Sequence, residues 1–254
     1  MRRAGGPRGR TSRALALVAA FAFLASACDG DDAPAAPPSG SRAVSFESTD
    51  GVHLEGRVFG EGHAGVVLSH MLPADQTSWW GFAEDLADEG YLVLTYDFRG
   101  YCPGGDAGCS RGEKNIDAIW QDILGAIDFI GTQGANTVEL VGASMGGTAS
   151  LVAASKPDVD IAAVVTLSAP QSIEGLSASA DVLQSVSAAR LFVAGVGDFG
   201  AAKDAQTMYE QSPPPKRLEI LTTDAHGTDI LSSNQAGPSA TLITSYLEQY
   251  AEPA

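Results

Sequence analysis

The chain holds 254 residues, of which 44% are hydrophobic and 18% charged, with a formal net charge of −16. This apolar fraction supports a buried core and excludes a wholly disordered chain. The acidic balance argues against nucleic acid and against adhesion of the domain surface to anionic lipid.

Residues 1–13 carry Arg2, Arg3, Arg8, Arg10 and Arg13 and no acid. Residues 14–27, ALALVAAFAFLASA, are small and apolar. A basic start, a short apolar run and small residues at the end describe an export signal. The run is shorter than the roughly 20 residues of a transmembrane helix. An uncleaved anchor helix is the alternative. Ala25-Ser26-Ala27-Cys28 resembles a bacterial lipobox, which implies lipidation of Cys28; Ala25 stands where such boxes more often carry Leu. The expected location is the cell envelope, lipid-anchored to the outer face of the cytoplasmic membrane, with secretion as the alternative. Residues 28–42 then read as the lipidated cysteine and a flexible tether rich in Pro, Ala, Asp and Gly. Residues 43–254 read as the folded domain.

Hydrophobic alternation around Asp50-Gly51 predicts a hairpin over 43–60. A buried strand is expected at Gly65–Ser69, a helix at Thr77–Glu89 and a strand at Tyr91–Tyr96. Ile116, Ile119, Trp120, Ile123, Ile127 and Ile130 place an amphipathic helix over Asn115–Ile130. There follow a strand at Thr137–Val141, a small-residue helix at Met145–Ser155 and strands at Ile161–Leu167 and Arg190–Val196. A helix at Ala201–Gln211, a last strand at Leu218–Leu221 and a closing helix at Ser239–Tyr250 complete the order. Strand–helix alternation means a mostly parallel central sheet with helices on both faces. Trp79 and Trp80 read as helix packing rather than as walls of a pocket. Cys102 and Cys109 bracket PGGDAG, a segment short enough to turn back on itself. Export permits a disulfide between them; two free thiols are the alternative, and no nearby histidine favours zinc.

Gly142-Ala143-Ser144-Met145-Gly146 is a G-x-S-x-G pattern, weak by itself. Its position between the strand VELV and a helix is the context that makes it a nucleophile turn. A serine hydroxyl needs a base. Of His53, His63, His70 and His226, only His226 follows the last strand on a loop. The acid that orients it is expected at Asp198, just after the strand RLFVAGV, with Asp224 and Glu174 as runners-up.

These residues resemble the α/β-hydrolase superfamily over essentially all of residues 43–252. The resemblance implies an α/β-hydrolase fold with no large cap domain, since only about 20 residues separate Pro170 from the strand at Arg190. It implies Ser144 as nucleophile, Asp198 as acid and His226 as base. The segment Val-Leu-Ser-His70-Met71-Leu72 resembles the family's strand plus His-Gly segment. It implies an oxyanion amide at Leu72, or Met71, paired with that of Met145. Met71 stands where the family usually has glycine. Asp97-Phe98-Arg99-Gly100 resembles the family's D-x-R-G turn, a structural feature. The implied activity is carboxylic ester hydrolysis on small-molecule or lipid esters, with no metal or organic cofactor. A serine peptidase, an acyltransferase and a non-catalytic envelope scaffold are the alternatives.

Overall fold

The computed structural model describes residues 36–103, 108–198 and 200–251, together with Met1 and Pro253. The signal-like segment and Cys28 lie outside the described residues. In chain order the strands are β1 (Ser41–Glu47), β2 (His53–Phe59), β3 (Ala64–Ser69), β4 (Leu92–Tyr96), β5 (Thr137–Ala143), β6 (Ala163–Leu167), β7 (Ser172–Ile173), β8 (Leu176–Ser177), β9 (Ala189–Gly195) and β10 (Lys216–Leu221). The α-helices are α1 (Trp80–Asp88), α2 (Trp120–Thr132), α3 (Met145–Ala154), α4 (Ala180–Ser185), α5 (Ala201–Gln211) and α6 (Ala236–Leu247).

Eight strands form one sheet in the order β1-β2-β4-β3-β5-β6-β9-β10. The hairpin β1–β2 is antiparallel and joins β4 antiparallel; every other pairing in this sheet is parallel. The expected mostly parallel α/β architecture is what forms. Its inner strands carry continuous apolar runs because both faces are covered: all residues of β3, β4, β6 and β9 are buried. The pleat sends Leu140 to one core, with α2 and α3, and Val141 to the other, with α1 and α6.

The chain passes from β3 to β4 on one side, then returns to place β5 on the other side of β3. The crevice at that reversal is where open α/β sheets hold ligands. Ser69 at the end of β3 is in register with Gly142 near the end of β5. The loops after these two strands are therefore adjacent, and they carry His70–Leu72 and Ser144.

Several boundaries differ from the sequence reading. β1 starts at Ser41, inside the stretch read as tether. Ser41 is fixed there by its N–H and hydroxyl donating to the Pro38 carbonyl, and by Arg57 Nε donating to its Oγ at 2.8 Å. The helices expected at Thr77 and Asn115 begin as 3-10 turns, Gln76–Trp79 and Ile116–Ala118. The closing helix starts three residues earlier than expected, because Pro238 falls in its first turn, where a missing N–H costs nothing. A 3-10 helix over Gly227–Ser232 was not foreseen. Between β6 and β9, where no large cap domain was expected, the chain holds the β7–β8 hairpin and the short helix α4. Trp79 and Trp80 are buried in the core, as their spacing suggested. No helix among the described residues is long and apolar enough to cross a membrane.

Candidate active site

Ser144 sits between β5 and α3 with φ 47° and ψ −118°, a region that side chains other than glycine rarely adopt. The turn is that tight because the chain reverses from strand to helix within one residue. A Cβ at Gly142 would collide with the Gly146 backbone, and a Cβ at Gly146 would lie 2.6 Å from the His70 carbonyl oxygen. Glycine at both positions lets α3 press against the end of β3. Ser144 N–H donates to the Leu167 carbonyl at 2.8 Å, which anchors the turn to β6. The residue is 8% exposed.

Asp198 and His226 come together although 28 positions separate them. His226 Nδ1 lies 2.9 Å from Asp198 Oδ1 and 3.0 Å from Oδ2. That geometry assigns the ring proton to Nδ1, donating to the carboxylate. The two loops that present the pair follow adjacent parallel strands. They are zipped by Val196 N–H to the Leu221 carbonyl at 2.8 Å and Gly197 N–H to the Thr223 carbonyl at 3.0 Å. The Asp198 side chain is 5% exposed and that of His226 is 41% exposed. Asp224 and Glu174, the other acids considered, are exposed and make no hydrogen bond to the imidazole.

The His226 loop reaches the serine turn. A Cβ at Gly227 would lie 3.3 Å from Ala143 Cβ and 2.5 Å from Met71 Sδ. Among the described residues no hydrogen bond joins Ser144 Oγ to the imidazole; such bonds are often loose in free enzymes and tighten on substrate.

The loop after β3 is braced by His70, a residue the sequence reading took only as part of a strand-end segment. Its ring is fully buried between Phe98 and Tyr101, with centroids 4.8 and 4.6 Å away. Nδ1–H donates to the Met71 carbonyl at 3.0 Å, and Nε2 accepts the Phe98 N–H at 3.1 Å. Burial holds the imidazole neutral by lowering its pKa to about 4. The Met71 carbonyl and the Leu72 N–H belong to one trans peptide unit and point in opposite directions. Pinning the carbonyl to His70 therefore turns the Leu72 amide away from His70. Met71 is buried and Leu72 half-buried.

Three further groups support these loops. Asp97 accepts the Gln76 N–H at 3.0 Å and Gln76 Nε2 at 2.6 Å. Burial raises its pKa to about 7 against those bonds. Arg99 binds Asp122 through Nε at 2.9 Å and Asp50 through Nη1 at 2.8 Å, joining the β4 loop to α2 and to the β1–β2 turn. Gln76 was not identified from sequence, since nothing local pairs it with an acid 21 positions away. Cys102 and Cys109 are joined as a disulfide. No three His, Cys, Asp or Glu side chains among the described residues converge to hold a metal ion.

The arrangement supplies a hydroxyl on a strained turn at a helix N-terminus, an imidazole oriented by a carboxylate, and a braced loop of backbone amides alongside. That is equipment for attack on a carbonyl carbon.

Comparison with known proteins agrees on the scaffold. A search of curated proteins finds no relative of this sequence. Among solved structures, an esterase of Pyrococcus furiosus superposes with a TM-score of 0.69 at 17% identity, covering 83% of this chain and 91% of that one. A dienelactone hydrolase of Anabaena variabilis gives 0.67 at 21% identity, with 84% and 98% covered. A thermophilic esterase of Thermogutta terrifontis gives 0.64 at 19% identity, with 82% and 99% covered. At these identities the likeness is one of fold. A family model described as alpha/beta hydrolase fold matches residues 66–225, more than half of the sequence. With the serine turn at the sheet's reversal point and the histidine after its last strand, the chain belongs to the alpha/beta hydrolase fold family.

Proposed function

We propose that this protein is a serine hydrolase that cleaves carboxylic esters through an acyl-enzyme. The observation that carries the reading is the Asp198–His226 pair held beside a strained Ser144 turn. His226 Nε2 takes the hydroxyl proton as Ser144 Oγ attacks the ester carbonyl. Asp198 keeps the proton of His226 on Nδ1 and stabilises the imidazolium that forms. The backbone amides of Met145 and Leu72 receive the oxyanion; losing one such donor typically costs about 3–4 kcal/mol of barrier. Collapse of the tetrahedral adduct breaks the bond to the alcohol oxygen, which leaves with the proton from His226. Water then repeats the sequence on the acyl-enzyme, with the acid as product and the serine hydroxyl restored.

An ester substrate is favoured by the short segment between β6 and β9, which holds only a two-stranded hairpin and a six-residue helix. So small a cover leaves room for varied or bulky esters. The similar solved structures include proteins titled esterase and dienelactone hydrolase. We further propose that residues 1–27 direct export and that Cys28 carries a lipid. Cys28→Ser is expected to abolish lipid labelling and membrane retention; retention unchanged would favour an uncleaved anchor.

The decisive experiment is labelling of the full chain with a fluorophosphonate probe, beside Ser144→Ala. Labelling lost in the variant supports the reading, and p-nitrophenyl esters of increasing length then size the acyl site. A folded wild-type chain that neither labels nor hydrolyses any of these esters overturns it.

A further inference from the structure

The loop proposed to bind the oxyanion does not stand alone. It is bracketed at both ends by the chain that leaves β4. At its start, His70 Nε2 accepts the Phe98 N–H. At its end, both Gln76 donors reach the Asp97 carboxylate, and Gln76 Oε1 accepts the Thr95 hydroxyl at 3.1 Å. Wherever residues 95–98 go, residues 70–76 go with them.

Thr95 and Tyr96 are held by strand pairing with β2 and β3, and just beyond them a buried hydroxyl ties the chain to β2. Ser110 Oγ donates to the Asp97 carbonyl at 2.6 Å and accepts the Glu55 N–H at 2.9 Å. It bridges the β4 loop to β2 at a point where Asp97 N–H also donates to the Glu55 carbonyl at 2.9 Å. Ser110 is 5% exposed, so water does not readily replace it. Its neighbours continue the brace: Gly100 N–H donates to the Arg111 carbonyl and Arg111 N–H to the His53 carbonyl, each at 2.8 Å. Ser110 directly follows Cys109, whose sulfur is bonded to Cys102, one residue beyond Tyr101. The disulfide joins the outgoing arm of this loop to the returning one, directly next to the hydroxyl that holds Asp97.

We propose that Ser110 and the Cys102–Cys109 disulfide are positioning elements for the oxyanion loop, so that turnover depends on the oxidised state of that bond. The proposal rests on the reading of Ser144 as nucleophile. Neither element touches substrate. They act through Asp97, Gln76 and His70 on the direction of the Leu72 amide. Opening the bond releases Cys109 from Cys102, and the cost falls first on the adjoining Ser110 bridge. The core beneath is built from other residues, so the fold remains while the loop loosens. Misplacement of a preorganised donor weakens transition-state binding more than ground-state binding, which lowers kcat and leaves KM.

The test uses the full chain and p-nitrophenyl butyrate. Reduction with dithiothreitol breaks the S–S bond to give two thiols, and the reagent is oxidised to its cyclic disulfide. Oxidised wild type is compared with reduced wild type, Cys102→Ser/Cys109→Ser and Ser110→Ala. Each altered form is expected to lose about ten- to a hundredfold in kcat with KM within about twofold. Hydrogen exchange of the peptide spanning residues 70–78 is expected to rise in each. Dithiothreitol is expected to leave the double-serine variant unaffected. Ser110→Thr, which keeps the hydroxyl, is expected to recover most of the rate.

If reduction and Ser110→Ala leave kcat within about twofold of oxidised wild type, the loop supports itself and the inference is overturned. A parallel fall in kcat with KM rising by the same factor also overturns it, since that marks general loss of structure. If oxidised wild type neither turns over nor labels, the proposed function has failed. The exchange measurement then decides the bracing by itself, and unchanged exchange at residues 70–78 on reduction overturns it.

Discussion

The two halves of the site are built by opposite strategies. On the side of β3 and β4, His70, Asp97, Gln76 and Ser110 are buried and hydrogen-bonded, and Cys102 is joined to Cys109 by a disulfide. On the side of β9 and β10, one carboxylate orients one imidazole whose side chain is 41% exposed, on loops zipped by two backbone bonds. Charge stabilisation demands donors that do not reorganise as the reaction proceeds, and a buried network of fixed dipoles supplies that. The proton carrier of the proposed reaction needs access, and a partly exposed side chain on a loop supplies that. Buried hydrogen bonding is concentrated where the proposed reaction needs a fixed amide.

The largest expected effect breaks the exposed half. Asp198→Asn is expected to lower kcat/KM on the order of 10⁴-fold, because the amide no longer holds the Nδ1–H form of His226. Thermal unfolding of the variant should stay near wild type, since the pair joins loops rather than core. Near-normal turnover would move the acid role to another residue.

Next comes the rigid half. Arg99→Met leaves Asp122, which is fully buried, without its guanidinium partner. Breaking one side of such a pair typically costs about 3–5 kcal/mol, readable as a lower midpoint in urea. A midpoint within error of wild type would show that the fixed half does not depend on this ion pair. Gly146→Ala is expected to cost about 1–3 kcal/mol and to depress kcat as well. Its Cβ would press on the Ser69 and His70 carbonyls and shift the loop that carries Leu72. A variant equal to wild type in both respects would mean the loop yields freely.

The last effect lies away from the site and is read in stability alone. Glu139 on β5 is fully buried, both carboxylate oxygens lack hydrogen-bond partners among the described residues, and burial raises its pKa to about 9. The folded chain therefore keeps a proton that the unfolded chain releases above its ordinary value of 4.5. The sign follows: this group lowers stability as pH rises from about 4.5 toward 9 and has no such effect below that window. Glu139→Gln is expected to match wild type at pH 5 and to exceed it at pH 9 by on the order of a few kcal/mol. Equal slopes in unfolding scans at both pH values would sink this account. Asp97 and Asp122 are raised by the same cause, but each has partners that oppose it.

Much of the frame could be read in the sequence. Apolar runs, helical spacing and the G-x-S-x-G between strand and helix are local signals, and local rules set them. The strand-helix alternation was enough for a mostly parallel sheet covered on both faces, while the cysteine spacing allowed a disulfide or two free thiols and the structure holds the disulfide. The 3-10 turn at Gly227–Ser232 and the β7–β8 hairpin escaped because they are too short to leave a period. Gln76, Ser110 and the double role of the His70 ring escaped for another reason. Each acts on a partner more than twenty positions away, across strands whose order the sequence does not display. Sequence alone therefore determined which residues are the candidates for reactive chemistry and where the longer strands and helices lie. Only the tertiary structure decided which acid meets His226, which way the Leu72 amide is turned and what braces it. Those outcomes depend on the register of β3 with β5 and of β9 with β10, which long-range packing sets.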